Sequence, residues 1–210
     1  MAEFKTHLTG GIISGAGFSL FGLLSATLTL TQAVAIFIIG TFAGLLPDLD
    51  SDSGKPLAFI FQLLSLILPI MFFYRATEFM GASIEFLISY FTLAYLFVKY
   101  VICAAIKKLT VHRGMMHSVP FAVLCGALGY LLFNSSGQKM AFISGLALFS
   151  GCLIHLLLDE LNSFTFKYGF IPVLKKSSGT ALKFTSSSLS ATIFMYSLLI
   201  LVIISGIIET

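Results

Sequence analysis

The sequence predicts an all-α membrane protein, a bundle of about seven hydrophobic helices with its polar motifs gathered at the cytoplasmic end. Three observations carry that prediction. Of 210 residues, 58% are hydrophobic and 10% charged, with a mean hydropathy of +1.02, whereas a soluble domain has about 25% charged residues. Apolar stretches approaching the roughly 20 residues that a helix needs to cross a bilayer recur along the whole chain. The histidines and aspartates fall at the ends of those stretches or between them. One membrane-embedded domain, residues 1–210, is enough to hold them.

Seven segments are expected, near residues 10–30, 31–47, 56–74, 83–106, 117–133, 139–158 and 189–208. Residues 10–19 hold four glycines and two serines, and only Thr29, Thr31 and Gln32 mark a turn after them, so the first two segments either span or form a re-entrant hairpin. Gly11-xxx-Gly15 and Gly40-xxx-Gly44 offer small faces for close helix packing, a common feature with no function of its own. The third segment follows an acidic cluster and the fourth runs toward Lys107-Lys108. Ser118 is a good N-cap for the fifth, and Pro120 is tolerated in a first helical turn. The sixth carries His155 and Asp159, and the last is uniformly apolar. The charged start and long apolar run at the N-terminus lack the short core and cleavage site of a signal peptide, so that end is expected in the mature protein.

Cys103, Cys125 and Cys152 are odd in number and lie inside apolar runs, which reads as small buried hydrophobes and not a disulfide framework. The net charge of +3 comes without a basic arm or long charge run, so direct nucleic-acid binding is not expected.

The polar motifs share one side by counting spans. Two segments separate His7, which precedes the first, from the Asp48 cluster; two separate that cluster from His112, and two separate His117 from Asp159. An even number returns the chain to the same face. That face also has Lys5, Lys55, Lys107, Lys108, Arg113, Lys167, Lys175, Lys176 and Lys183, against Arg75 and Lys139 on the other, while Lys99 lies in a span near its motif-side end and can snorkel. Nine against two places the motif side of a multi-pass membrane protein in the cytoplasm.

In Pro47-Asp48-Leu49-Asp50-Ser51-Asp52 the carboxylates alternate, and in an extended segment they would point the same way. Unneutralised, they repel; a divalent cation removes the problem, although an exposed acidic turn is the plainer reading. An EF-hand is excluded, since its glycine would fall at Ser53 and its glutamate at Phe59; a P-loop is excluded because its first glycine would be Leu49. His112 and His117 would sit about 140° apart on one continuous helix, so convergence needs a loop, with Gly114 letting the backbone fold and His117 at a helix mouth. His155 and Asp159 are four apart, on one helix face, as metal ligands or as an imidazole held by its carboxylate. The spacing is not that of HExxH, which removes the zinc-peptidase reading.

His7, Asp48, Asp50, His112, His117, His155 and Asp159 together offer up to seven nitrogen and oxygen ligands without a cysteine, a mixture suited to zinc first, and to manganese or iron, as one or two ions. Two ions about 4 Å apart suit phosphoester hydrolysis. Arg113 would then neutralise a phosphoryl oxygen, unless it is a topology charge or headgroup anchor, and Asp52 would orient water as a base. Residues 160–188 mix Phe164, Phe166, Tyr168, Phe170 and Phe184 with Lys167, Lys175, Lys176 and Lys183, and read as a segment on the cytoplasmic interface that holds a lipid substrate or is simply a basic loop.

Thr6-His7, Leu46-Pro47-Asp48-Leu49-Asp50, His112-Arg113-Gly-x-x-His117-Ser118 and His155-x-x-x-Asp159, in that order among hydrophobic helices, resemble the YdjM-like family of LexA-binding, inner-membrane-associated, metal-dependent hydrolases of bacteria. The resemblance covers about residues 5 to 165. It implies a membrane-bound metal-dependent hydrolase with metal positions at His7, Asp48, Asp50, His112, His117, His155 and Asp159, and a cytoplasmic protein partner. Two functions compete: hydrolysis of a membrane-lipid phosphoester, and a non-catalytic membrane anchor or regulator with a structural metal. Metal transport is disfavoured, because transport sites tend toward the midplane.

Overall fold

The computed structural model describes residues 3–50, 54–104, 114–167, 171–174 and 182–209. Among the described residues seven α-helices carry the fold: α1 Phe4–Leu24, α2 Leu30–Ala43, α3 Gly54–Met80, α4 Ile84–Leu96, α5 Val119–Leu132, α6 Gln138–Leu161 and α7 Leu189–Glu209. A short 3-10 helix covers Leu46–Asp50, and α4 continues as a π-helix over Phe97–Ile102. By length and composition α1, α4 with its π-helical extension, α6 and α7 are each able to cross a membrane. At 14 residues each, α2 and α5 rise about 21 Å, short of the roughly 30 Å hydrocarbon core.

The chain packs as two compact units, Met1–Asp48 with Arg113–Thr210, and Leu49–His112. In the first unit α1 pairs with α2, α5 with α6, α6 also lies against α1 and α2, and α7 against α5. The first helix starts and ends earlier than expected. It stops because Ala26 adopts a left-handed φ of 52°, while Ala26 N–H bonds Leu23 O and Thr27 N–H bonds Gly22 O, both at 3.0 Å. This is the Schellman stop, usually built on glycine, so an alanine there gave no signal. At the other end nothing breaks helical continuation before Phe4, and His7 lies inside α1 rather than ahead of it. Thr29 and Gln32 then cap α2 reciprocally, fixing the turn that these residues marked.

Close approach of backbones governs the α1–α2 pairing. A Cβ on Gly44 would lie 2.7 Å from Gly11 Cα, and one on Gly40 would lie 2.7 Å from Gly15 Cα. Helix α6 enters the same seam, where a Cβ on Gly151 would lie 2.5 Å from that of Ala43. Around it Met115, Phe121, Ala122, Leu124, Cys125 and Cys152 join Met195 and Val202 of α7 in one buried cluster. Cys103, Cys125 and Cys152 are free thiols. Helix α5 opens at Ser118, whose hydroxyl accepts from Phe121 N–H at 3.4 Å and donates to Met115 O. Residues 160–188 were expected to lie along an interface. Within them Phe164–Lys167 (β1) and Ile171–Leu174 (β2) pair antiparallel, with Phe164 opposite Leu174 and Lys167 opposite Ile171.

The second unit is the α3–α4 hairpin. Gly81 at φ 76° turns the chain, Ser83 caps α4 by accepting from Phe86 N–H at 3.2 Å, and Tyr90 donates to Pro69 O at 2.8 Å.

Candidate metal centre

Five polar side chains of the first unit meet in its apolar interior: His7 from the second turn of α1, Asp48 from the 3-10 helix after α2, His117 just before the Ser118 cap of α5, and His155 and Asp159 from the last two turns of α6. The histidines are at most 1% exposed and each aspartate 7%, a burial that side chains of this kind tolerate only when paired or holding a metal.

His7 Nε2 lies 3.3 Å from Asp159 Oδ1, His117 Nε2 3.5 Å from Asp48 Oδ1 and 3.8 Å from Asp159 Oδ2, and His155 Nε2 3.7 Å from Asp48 Oδ1 and 4.0 Å from Asp159 Oδ2. All are longer than the usual 2.7–3.2 Å of an N–H···O hydrogen bond. They are close to the spacing of two ligands on one ion, about 3.4 Å for tetrahedral bonds of about 2.1 Å. Two overlapping groups, His7 with Asp48 and His155, and His117 with His155 and Asp159, bring their ligand atoms within 4.8 Å of one another, so they could hold a metal ion.

His155 shows how the ring is set. Its Nδ1 lies 2.7 Å from Gly44 O; a carbonyl only accepts, so Nδ1 carries the proton and Nε2 presents its lone pair to the two carboxylates. Neither nitrogen of His7 makes a hydrogen bond among the described residues, nor does Nε2 of His155. The His7 and His155 rings stack with centroids 3.6 Å apart and planes 14° from parallel, an arrangement that suits two neutral imidazoles and opposes two imidazoliums. The donor set therefore fits a divalent ion: neutral imidazole nitrogens and carboxylate oxygens, in a dry setting. With Nδ1 engaged, His155 has one lone pair to give, so the two groups describe one centre and not two independent ones.

The family model described as YdjM inner membrane protein matches residues 1–209. The chain belongs to that family. No curated protein matches it, and no solved structure does. In this YdjM chain, five of the seven ligand positions expected from the sequence, His7, Asp48, His117, His155 and Asp159, come together. Asp50 ends the 3-10 helix, but its side chain lies outside the described residues, as do His112, Asp52 and Arg113 entirely. The alternation of carboxylates through an extended segment is corrected: Leu46–Asp50 is helical, and a 3-10 turn of about three residues does not align positions two apart.

Sequence reasoning missed Gly44. Its carbonyl orients His155, and its bare Cα admits both Gly11 and the carbonyl of His7, which a Cβ would approach at 2.9 Å. The small-residue spacing was the available signal, and it was read as packing without function. Nearby, Cys152 donates to Ala43 O at 3.4 Å, which ties α6 to the same carbonyl end of α2.

Proposed function

We propose that this YdjM chain is a membrane-embedded metal-dependent hydrolase that acts on a phosphoester of a membrane lipid from the cytoplasmic side. The observation that carries the reading is the Gly44-anchored His155, whose bare Nε2 points at Asp48 and Asp159 beside His7 and His117. An imidazole oriented through its other nitrogen by a backbone carbonyl is how proteins prepare a metal ligand.

His7, Asp48, His117, His155 and Asp159 would hold the ion, zinc before manganese or iron, with His112 and Asp50 as further ligands for the same ion or a second. A divalent ion bound there supplies Lewis acidity toward a phosphoryl oxygen and acidifies water at neutral pH. The chain's own groups do the rest. Apolar packing around the buried imidazoles excludes bulk water, which strengthens every charge interaction inside. Asp52 orients the attacking water and accepts its proton, and Arg113 grips two phosphoryl oxygens with its planar fork. The excess of lysine and arginine at the motif end supports a cytoplasmic orientation.

Purified, metal-analysed protein in lipid nanodiscs, presented with phosphoester, carboxylester and amide lipids, tests the proposal. Turnover of a phosphoester lipid that chelation abolishes and metal restores is the expected result. Metal-loaded, folded protein that turns over none of the three classes would replace the hydrolase with a regulator held together by a structural metal.

A further inference from the structure

In the second unit, the α3–α4 hairpin carries a groove that no part of the hydrolase reading uses. Ser65, Leu66 and Ile70 of α3 line it opposite Phe91, Thr92, Tyr95 and Leu96 of α4, around about 390 Å³, within the roughly 300–1,000 Å³ of ordinary ligand sites. Its walls change character along their length. Ile70 and Phe91 lie toward the Gly81 turn; Ser65 and Tyr95 lie farther from it. One turn beyond Tyr95 comes Lys99, whose ammonium donates to the Tyr95 hydroxyl at 2.7 Å and stands 5.0 Å from that ring and 5.7 Å from the ring of Tyr100. Thr92, Tyr95 and Lys99 follow one another at three and four residues, so they form a single stripe along α4.

Lys99 is a cation inside a candidate membrane span, Ile84–Ile102. Among the described residues no carboxylate lies within ion-pair distance of it. An ammonium has three donors, and only one is used by Tyr95. Near the end of that span Lys99 can snorkel to the interface, where an anionic headgroup is the counterion at hand. The backbone adds a second observation, because Phe97–Ile102 is π-helical around Lys99, and π-turns inside helices occur often at functional sites.

We propose that this groove binds one anionic phospholipid, with the lipid phosphate on Lys99 and the Tyr95 hydroxyl and one acyl chain lying between Leu66, Ile70, Phe91 and Leu96. The occupant follows from charge and gradient together: a negative head at the cationic end and a hydrocarbon chain along the apolar walls. A zwitterionic lipid carries its own ammonium, which Lys99 repels. The groove shares no residue with the His/Asp cluster.

Native mass spectrometry of the full chain released from nanodiscs of equal phosphatidylglycerol and phosphatidylcholine content tests this. The parent is expected to retain one phosphatidylglycerol at least tenfold over phosphatidylcholine, and Lys99→Gln to lose the preference. Leu66→Trp, which fills the groove and leaves Lys99 in place, is expected to lose it too, with both variants first shown to be monodisperse and helical. Equal retention of the two lipids by the parent overturns the proposal, as does an undiminished preference in Lys99→Gln. If Leu66→Cys cross-links to itself between copies in the bilayer at high yield, a second chain and not a lipid occupies the groove. Should both variants fail to fold, Lys99→Arg decides: it keeps the charge and is expected to keep the lipid, and loss of the preference there overturns the site.

Discussion

His155 Nδ1 and the carbonyl oxygen of Gly44 stand 2.7 Å apart, and that one bond joins the packing of the α1–α2 seam to the orientation of the His155 ring. Gly44 can offer its carbonyl only where α2 runs against α1, and α2 runs there only because Gly44 and Gly11 lack side chains. Substituting Gly44→Ala pushes a methyl against Gly11 Cα at 2.7 Å and against the His7 carbonyl at 2.9 Å, both backbone and unable to give way. It is expected to destabilise the protein by about 1–3 kcal/mol and to weaken metal binding about 10–100-fold. Gly17→Ala, with nothing within 4 Å of the new methyl, should leave both unchanged. Thermal melts and metal titrations in detergent check the pair; a Gly44→Ala protein with parental affinity would show that the carbonyl does not position the ring.

Topology is tested by position-specific labelling. Glu3 caps α1 at the metal end of the first unit, and Ser136 lies in the exposed turn between α5 and α6 at the other. In a cysteine-free background, a cysteine at Ser136 is expected to react with an impermeant thiol reagent in intact spheroplasts, and one at Glu3 only after lysis. The reverse pattern would put the metal centre outside the cytoplasm.

The proposed part of Arg113 is tested by a conservative change. Arg113→Lys keeps the positive charge that sets orientation but loses the planar fork. Turnover of a phosphoester lipid is expected to fall roughly 10²-fold with metal content and expression preserved. Parental turnover would remove Arg113 from the chemistry.

Much of this was legible in the sequence, for definite reasons. Helix positions follow from long apolar runs, and the pairing of His155 with Asp159 follows from helical spacing alone. Ser118 as the cap of α5 was readable because capping is local chemistry. What escaped was nonlocal or lacked a side-chain signature. The stop after Leu24 rests on an alanine in a conformation usually left to glycine. The strands at 164–167 and 171–174 are too short to show a clear alternation, although Thr165, Ile171 and Val173 are strand formers on either side of Gly169. The function of Gly44 appears only when three helices are placed together, since its contribution is a carbonyl and an absence.

Metal content per chain is the measurement closest to the centre of the proposal. Protein prepared without a polyhistidine tag and analysed by inductively coupled plasma mass spectrometry is expected to hold about one divalent ion in the described site, or a second where His112 and Asp50 complete one. His155→Ala and Asp159→Ala should each lose most of that metal while remaining inserted, monodisperse and helical; Cys152→Ala, one turn from His155 with its thiol turned to Ala43 O, should keep it. Full occupancy in both ligand variants, or folded parent that takes up no divalent ion when supplied, would contradict the metal centre.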